Sequence, residues 1–181
     1  MRVINLVGAP CTGKSTAAAG LFYLMKTRGY EVELVTEFAK DLHWDGHFNV
    51  LADQLFVFAE QHRRLDRLRE KVDFVITDTS LLLSAIYKPA DYPESFDHLV
   101  VDMFNRYENQ SFMLHRADWA YNPNGRGQQF AEEAQAREPQ IKDFLTRHGI
   151  QHLDMAVSRN TPEDILYYVE APAREAGLAY G

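Results

Sequence analysis

Gly8-Ala9-Pro10-Cys11-Thr12-Gly13-Lys14-Ser15 fits the pattern G-x-x-x-x-G-K-[ST] at every constrained position. Glycines at both ends permit a tight loop whose backbone N–H groups can turn inward onto phosphate oxygens. A helix beginning just after the loop would add its partial positive charge at the same point. The Lys14 ammonium is then placed to bridge β- and γ-phosphates, and the Ser15 hydroxyl to ligate Mg²⁺. Thr16 follows within reach of an outer phosphate. These residues predict a site for a nucleoside triphosphate, ATP with Mg²⁺. Cys11 sits inside the loop, where inward amides and Lys14 would favour a thiolate; the plainer reading is a small residue that the loop tolerates.

The motif needs a strand before it and a helix after it, and the sequence offers both. Val3–Val7 is a mostly apolar run suited to a strand buried on both faces, and from Lys14 the residues Ala17, Ala18, Leu21, Leu24 and Met25 read as a helix closed by Arg28-Gly29. Further strands are expected at Val32–Val35, Phe74–Thr77, Phe112–Leu114 and Gln151–Val157. Between them, residues 51–71 read as one long helix and Phe96–Tyr107 carries a helical stripe. Phe130–Arg147 reads as helical, with Pro139 breaking, kinking or starting a helix. Thr161-Pro162-Glu163-Asp164 has the hydroxyl, proline and acids of a helix start; the last helix is expected over Ile165–Val169, with Ala173–Gly181 fraying. Alternating strands and helices predict an α/β fold in three layers, a P-loop NTPase fold with about five parallel strands flanked by helices. Ligands of such sheets collect beyond the carboxyl ends of the strands, where the segments after Val7, Val35 and Ile76 would meet.

Length and composition agree with this. One hundred and eighty-one residues, 46% hydrophobic and 25% charged, suit a single globular domain over 1–181 with a buried core. The longest apolar runs, such as Leu81–Leu83, are far too short for a membrane span, and residues 1–10 lack a secretory signal. One cysteine supports neither an internal disulfide nor a cysteine metal site, and a cytoplasmic location is expected. Nineteen basic against 26 acidic residues give a net charge of −7, which excludes a generally basic nucleic-acid coat but not a local basic face.

Other features narrow the class. No N-K-x-D guanine-reading segment occurs, and a ring-forming AAA+ motor would call for a further helical domain. The segments Val35-Thr36-Glu37-Phe38-Ala39-Lys40, Asp53-Gln54 with Gln61, and Val75-Ile76-Thr77-Asp78-Thr79-Ser80 resemble the nicotinamide-ribose kinase-like branch of P-loop ATPases. The stretch from Arg116 to Arg126, with Tyr121-Asn122-Pro123-Asn124-Gly125-Arg126, is similar to bacteriophage members of that branch, which phosphorylate 5-hydroxymethyluracil within DNA.

The resemblance implies an ATP- and Mg²⁺-dependent kinase that transfers the γ-phosphoryl group to an alcohol, first of all the hydroxymethyl group of 5-hydroxymethyluracil in phage DNA. A free nucleoside or nucleotide, nicotinamide riboside included, is the second acceptor class. A nucleotide-regulated binding module that hydrolyses ATP slowly is the third reading.

Glu37, after the second strand, stands where related kinases place the carboxylate that contacts the acceptor hydroxyl; its alternative is a helix N-terminal acid favoured by the macrodipole. Asp41 is a lesser companion. Asp78, ending the third strand, occupies the position of a carboxylate that holds Mg²⁺ with Ser15; alternatively it caps the next helix. Thr79 and Ser80 line the site or cap a helix.

Residues 115–128 form a polar lid loop with Gly125 and Gly127 for flexibility, bracketed by Arg116 and Arg126, whose charges would close over the moving phosphoryl group. Trp119 and Tyr121 either stack on a base or anchor the loop. His62-Arg63-Arg64 with Arg67, Arg69 and Lys71 could follow a DNA backbone, but Asp66 and Glu70 interleave with them and favour a solvated face with internal ion pairs. His43 and His47 lack a third ligand for zinc.

Overall fold

The computed structural model describes residues 1–116 and 127–175, with backbone alone for 127–135 and 172–175. Five strands, β1 (Arg2–Val7), β2 (Val32–Val35), β3 (Phe74–Thr77), β4 (Glu108–His115) and β5 (Leu153–Ala156), form one sheet in the order β2-β3-β1-β4-β5. Every pairing is parallel. Each connection therefore crosses over a sheet face. The helices are α1 (Lys14–Thr27), α2 (Phe38–Trp44), α3 (Phe48–Ala52), α4 (Gln54–Asp66), α5 (Leu83–Tyr87), α6 (Glu94–Phe104), α7 (Gly127–Arg147) and α8 (Thr161–Glu175).

β1 is central because its side chains are apolar on both faces, as a doubly covered strand requires. Ile4 and Leu6 join Leu21 and Met25 of α1 and Ile165 and Leu166 of α8 in one buried cluster. Val3 and Val7 join Phe58 of α4, Phe96 and Val100 of α6, and Ile141 and Leu145 of α7 in the other. Truncating a fully buried member such as Leu21 to alanine costs about 2–5 kcal/mol. The polar exception, Asn5, is 2% exposed and donates to Asn109 Oδ1 of β4 at 3.0 Å. Asn109 in turn donates to the Phe104 and Tyr107 carbonyls, so the buried amides pin the α6–β4 connection to the central strand. On the other face α1 and α8 pack closely at Gly20, where a Cβ would come within 2.7 Å of the Pro162 ring.

Chain order reverses direction across the sheet at β1. The chain leaves β1 for β2, returns to β3, and then crosses to β4 on the far side. The carboxyl ends of β1 and β3 therefore face a crevice at this switch point, the usual ligand site of such sheets.

Four expectations change. The helix over 51–71 is interrupted at Asp53, whose backbone leaves helical angles and whose carboxylate accepts the Phe56 N–H, so α3 ends and α4 is capped anew. Its apolar stripe is only partly buried: Phe58 and Leu65 are in the core, whereas Leu55 is 53% exposed. The fourth strand is eight residues long, because its polar first half, Glu108–Ser111, pairs along β1 in register. Helix α7 continues through Pro139, and α8 runs from the expected start at Thr161 well past Val169 to Glu175. Residues 117–126 of the expected lid, with Trp119, Tyr121 and Arg126, lie outside the described residues. Among the described residues no helix is long and apolar enough to cross a membrane.

Candidate functional site

The loop from Gly8 to Gly13 turns as its glycines predict. Gly8 has φ +155°, and a Cβ there would meet the Leu114 carbonyl oxygen of β4 at 2.6 Å. Gly13, at φ +93°, is the left-handed residue from which α1 starts, and the Ala17 N–H donates to its carbonyl at 2.9 Å. Cys11 also adopts a left-handed conformation, φ +61°, and is exposed. The buried Thr12 hydroxyl donates to the Ala9 carbonyl at 3.0 Å and braces the loop internally. Ser15 and Thr16 are exposed on the first turn of α1, which carries no acidic residue that would compete with an anion.

Lys14 lies back across the loop. Its ammonium donates to the Gly8 carbonyl at 2.9 Å and the Ala9 carbonyl at 2.7 Å. Desolvation lowers its pKa below the ordinary 10.5, while the charges of Glu37, Asp78 and Cys11 act in the opposite direction. Those opposing charges are informative about place. The carboxylates after β2 and β3 both stand close enough to be felt by the lysine after β1, so the three strand ends converge on one ammonium.

Asp78 is 4% exposed at the end of β3. Its Oδ2 accepts the Ser15 hydroxyl at 2.6 Å. Its Oδ1 is buried and has no hydrogen-bond partner among the described residues. An unsatisfied buried carboxylate oxygen costs about 1–3 kcal/mol or more, so it marks a place where a cation or a water completes the site. A serine hydroxyl and one carboxylate fit Mg²⁺, which keeps several waters and takes oxygens from substrate phosphates rather than a full protein cage. No three His, Cys, Asp or Glu side chains among the described residues are grouped to hold a metal by themselves. Thr79 and Ser80 are buried in the turn that follows. The Thr77 hydroxyl donates to the Thr79 carbonyl at 2.7 Å, and Ser80 Oγ accepts the Leu82 N–H at 3.4 Å.

Glu37 occupies the N-cap position of the seven-residue α2, with φ −67° and ψ 117°, but its side chain makes no capping bond. Its carboxylate is felt instead by Lys14 and by Tyr87 of α5. The turn that presents it is held from below by Gln61 of α4. Gln61 is 5% exposed; its Oε1 accepts the Phe38 N–H at 2.9 Å and its Nε2 donates to the Thr36 carbonyl at 3.3 Å. One amide thus grips the backbone on both sides of Glu37. Asp41, by contrast, pairs with Arg64 at 2.7 Å, and Arg64 lies 4.8 Å from the centre of the Phe38 ring.

Three arginines of the basic run form ion pairs, but of the two interleaved acids only Asp66 supplies a partner among the described residues. Arg63 binds Glu60 at 2.7 Å, Arg64 approaches both Glu60 and Asp41, and Arg69 binds Asp66 at 3.0 Å. Glu60 with Arg63, Arg64 and Arg67 lines an open pocket of about 250 Å³ beside edge strand β2. His43 packs against the Trp44 and Phe48 rings.

Half-buried Arg116 follows His115 at the end of β4. The His115 imidazole bonds Glu138 of α7 at 2.9 Å and also Asp154 of β5, a tie that holds the Asp154 carboxyl below its usual range.

Sequence reasoning singled out Gln61 without a role and missed Tyr87 and Arg137 altogether. Tyr87 sits in a five-residue helix with no capping signal, and Arg137 in a helix crowded with charges, so neither stands out before the chain folds.

Three comparisons bear on this arrangement. A family model described as AAA domain matches residues 3–162. No curated protein matches the sequence significantly. Among solved structures, the chain is similar to the YorR protein of Bacillus subtilis in complex with phosphorylated GDP, at 19% identity and a TM-score of 0.60, covering 95% of this chain and 98% of that one. It is also similar to deoxyadenosine kinase from M. mycoides with products dCMP and a flexible dCDP bound, at 15% identity and a TM-score of 0.56, covering 94% of this chain and 100% of the other. At these identities the likeness establishes a shared fold.

Proposed function

The chain belongs to the AAA domain family, and within it we propose that the protein is a kinase using ATP and Mg²⁺ to phosphorylate the alcohol of a nucleoside-type acceptor. The observation that carries the reading is the bond between Ser15 and buried Asp78 beside a loop shaped for phosphates, with the charges of Glu37 and Asp78 both acting on Lys14. A slowly hydrolysing binding module needs the loop and a metal carboxylate, but not a second carboxylate presented by its own clamped turn.

The roles follow from position. Loop amides and the α1 N-terminus receive the phosphates, and Lys14 moves from the Gly8 and Ala9 carbonyls to the outer phosphate oxygens. Ser15 and Asp78 would hold Mg²⁺. When bound, Mg²⁺ supplies neutralisation of charge on the β- and γ-phosphates. Glu37 orients the acceptor hydroxyl and accepts its proton. The acceptor oxygen forms a bond to the γ-phosphorus as the bond from phosphorus to the β-bridging oxygen breaks, and ADP leaves. Arg116 and Arg126 are the lid cations assigned to the charge on the transferring group.

For the acceptor, a small nucleoside or nucleotide is favoured over 5-hydroxymethyluracil in DNA. Arg63, Arg64 and Arg69 are held in ion pairs, the net charge is −7, and the deoxyadenosine kinase of similar fold holds dCMP and dCDP. The test is incubation with γ-labelled ATP and Mg²⁺ beside nucleosides, nucleotides and DNA containing 5-hydroxymethyluracil. Label should enter a small acceptor; label confined to DNA restores the phage-type reading. Hydrolysis without any labelled acceptor, unchanged in Glu37→Gln, supports the binding module.

A further inference from the structure

Tyr87 and Arg137 form a pair that the kinase mechanism above leaves unused. Arg137 reaches from α7 with its guanidinium carbon 5.0 Å from the centre of the Tyr87 ring. Tyr87 lies at the end of α5, half-buried, where the charge of Glu37 acts on it. Through the Tyr87 ring the pair thus comes within reach of the Glu37 charge.

A guanidinium held over a ring face by cation–π attraction keeps its N–H donors available for hydrogen bonds. Among the described residues Arg137 spends one donor on the Gln140 side-chain oxygen at 2.9 Å and has no carboxylate partner. The neighbouring acid, Glu138, bonds His115 and lies near Lys142. A half-buried, always-charged fork beside an active-site carboxylate is matched by a planar or tetrahedral oxyanion, which it can bind through two parallel N–H···O bonds. The phenol can share that space: burial, opposed by Arg137 and reinforced by Glu37, pushes its pKa up to about 12, so it stays neutral beside an anion.

We propose that Arg137, seated on the Tyr87 ring beside Glu37, binds a phosphate carried by the acceptor, so that the substrate is a phosphorylated nucleoside rather than a free one. This rests on the kinase reading and narrows it. Arg137 touches the non-reacting end of the acceptor, and its contribution is expected in KM more than in kcat.

The experiment compares the full chain with its Arg137→Gln and Arg137→Lys variants, using ATP, Mg²⁺ and paired acceptors, each nucleoside beside its 5′-monophosphate, with the new phosphate scored on an alcohol that both carry, since the 5′-oxygen of the monophosphate is already esterified. Calorimetric ATP binding by each variant serves as the check on folding. The wild type should show a KM for a monophosphate roughly tenfold to hundredfold below that for its nucleoside. Arg137→Gln should remove that difference, Arg137→Lys should restore part of it, and ATP affinity should stay within about twofold. Equal effects on nucleoside and monophosphate, or none on either, overturn the proposal. If ATP binds but no acceptor is phosphorylated, the kinase reading fails by itself. Direct titration with deoxynucleoside 5′-monophosphates then decides the subsite: weaker binding by Arg137→Gln supports it, and equal binding rejects it.

Discussion

The Ser15 hydroxyl donates to Asp78 Oδ2 at 2.6 Å, joining the first turn of α1 to the end of β3. These residues are 63 positions apart in the chain, and the bond forms because β1 and β3 are neighbours paired in register from Arg2 with Phe74 to Asn5 with Thr77. A strand pairing thus brings together the two oxygens proposed to hold Mg²⁺. Asp78→Asn keeps the shape and the acceptor of the serine bond but removes the charge. Mg²⁺-dependent phosphoryl transfer should fall roughly 100-fold or more, with far-UV circular dichroism and melting temperature nearly unchanged. Near-normal turnover would remove Asp78 from the site.

Gly8 is required by space as well as by backbone angle. Its missing Cβ accommodates the Leu114 carbonyl, a backbone atom of a central strand that cannot move aside. Gly8→Ala should cost about 1–3 kcal/mol in urea unfolding and weaken triphosphate binding by distorting the loop. Gly29→Ala, at φ +83° but with nothing within 4 Å, carries only the conformational cost of about 1 kcal/mol and should leave binding intact. Equal losses at the two positions would refute the steric argument.

The desolvated, half-buried setting of Lys14 predicts a pH effect with a definite sign. Its folded-state pKa is lowered, so below 10.5 there is a window where the unfolded chain binds this proton more tightly than the native one. Stability contributed at this site should therefore rise as pH increases through that window. Phosphate binding raises the lysine pKa again, so triphosphate affinity should decline over the same alkaline range with proton uptake on binding. Calorimetry in buffers of different ionisation enthalpy measures the uptake; Lys14→Met should abolish it, and uptake unchanged in that variant would assign the proton elsewhere.

Gln61 should behave as a positioning residue. Gln61→Glu can still accept from the Phe38 N–H but cannot donate to the Thr36 carbonyl. We expect a lower kcat through a misplaced Glu37 and an unchanged KM for ATP, since the loop lies on another strand. Gln61→Leu loses both bonds and should also cost about 1–3 kcal/mol of stability. An effect on ATP KM alone would contradict this assignment.

Residues 8–15 carried their own structural instructions. Only glycine tolerates the angle and crowding at position 8, an apolar strand precedes the loop, and a helix of small and apolar residues follows it. Periodicity likewise reports the strands and the larger helices, because burial on one face or both is written directly into residue order. The interruption at Asp53 was less visible, since one capping carboxylate outweighed an otherwise continuous apolar pattern. What sequence order could not decide was which distant groups meet. The Ser15–Asp78 bond, the grip of Gln61 around Glu37 and the approach of Arg137 to the Tyr87 ring depend on strand order and crossover packing. Local propensity fixes the elements, but only the buried apolar clusters on the two faces of the sheet fix how those elements are set against one another.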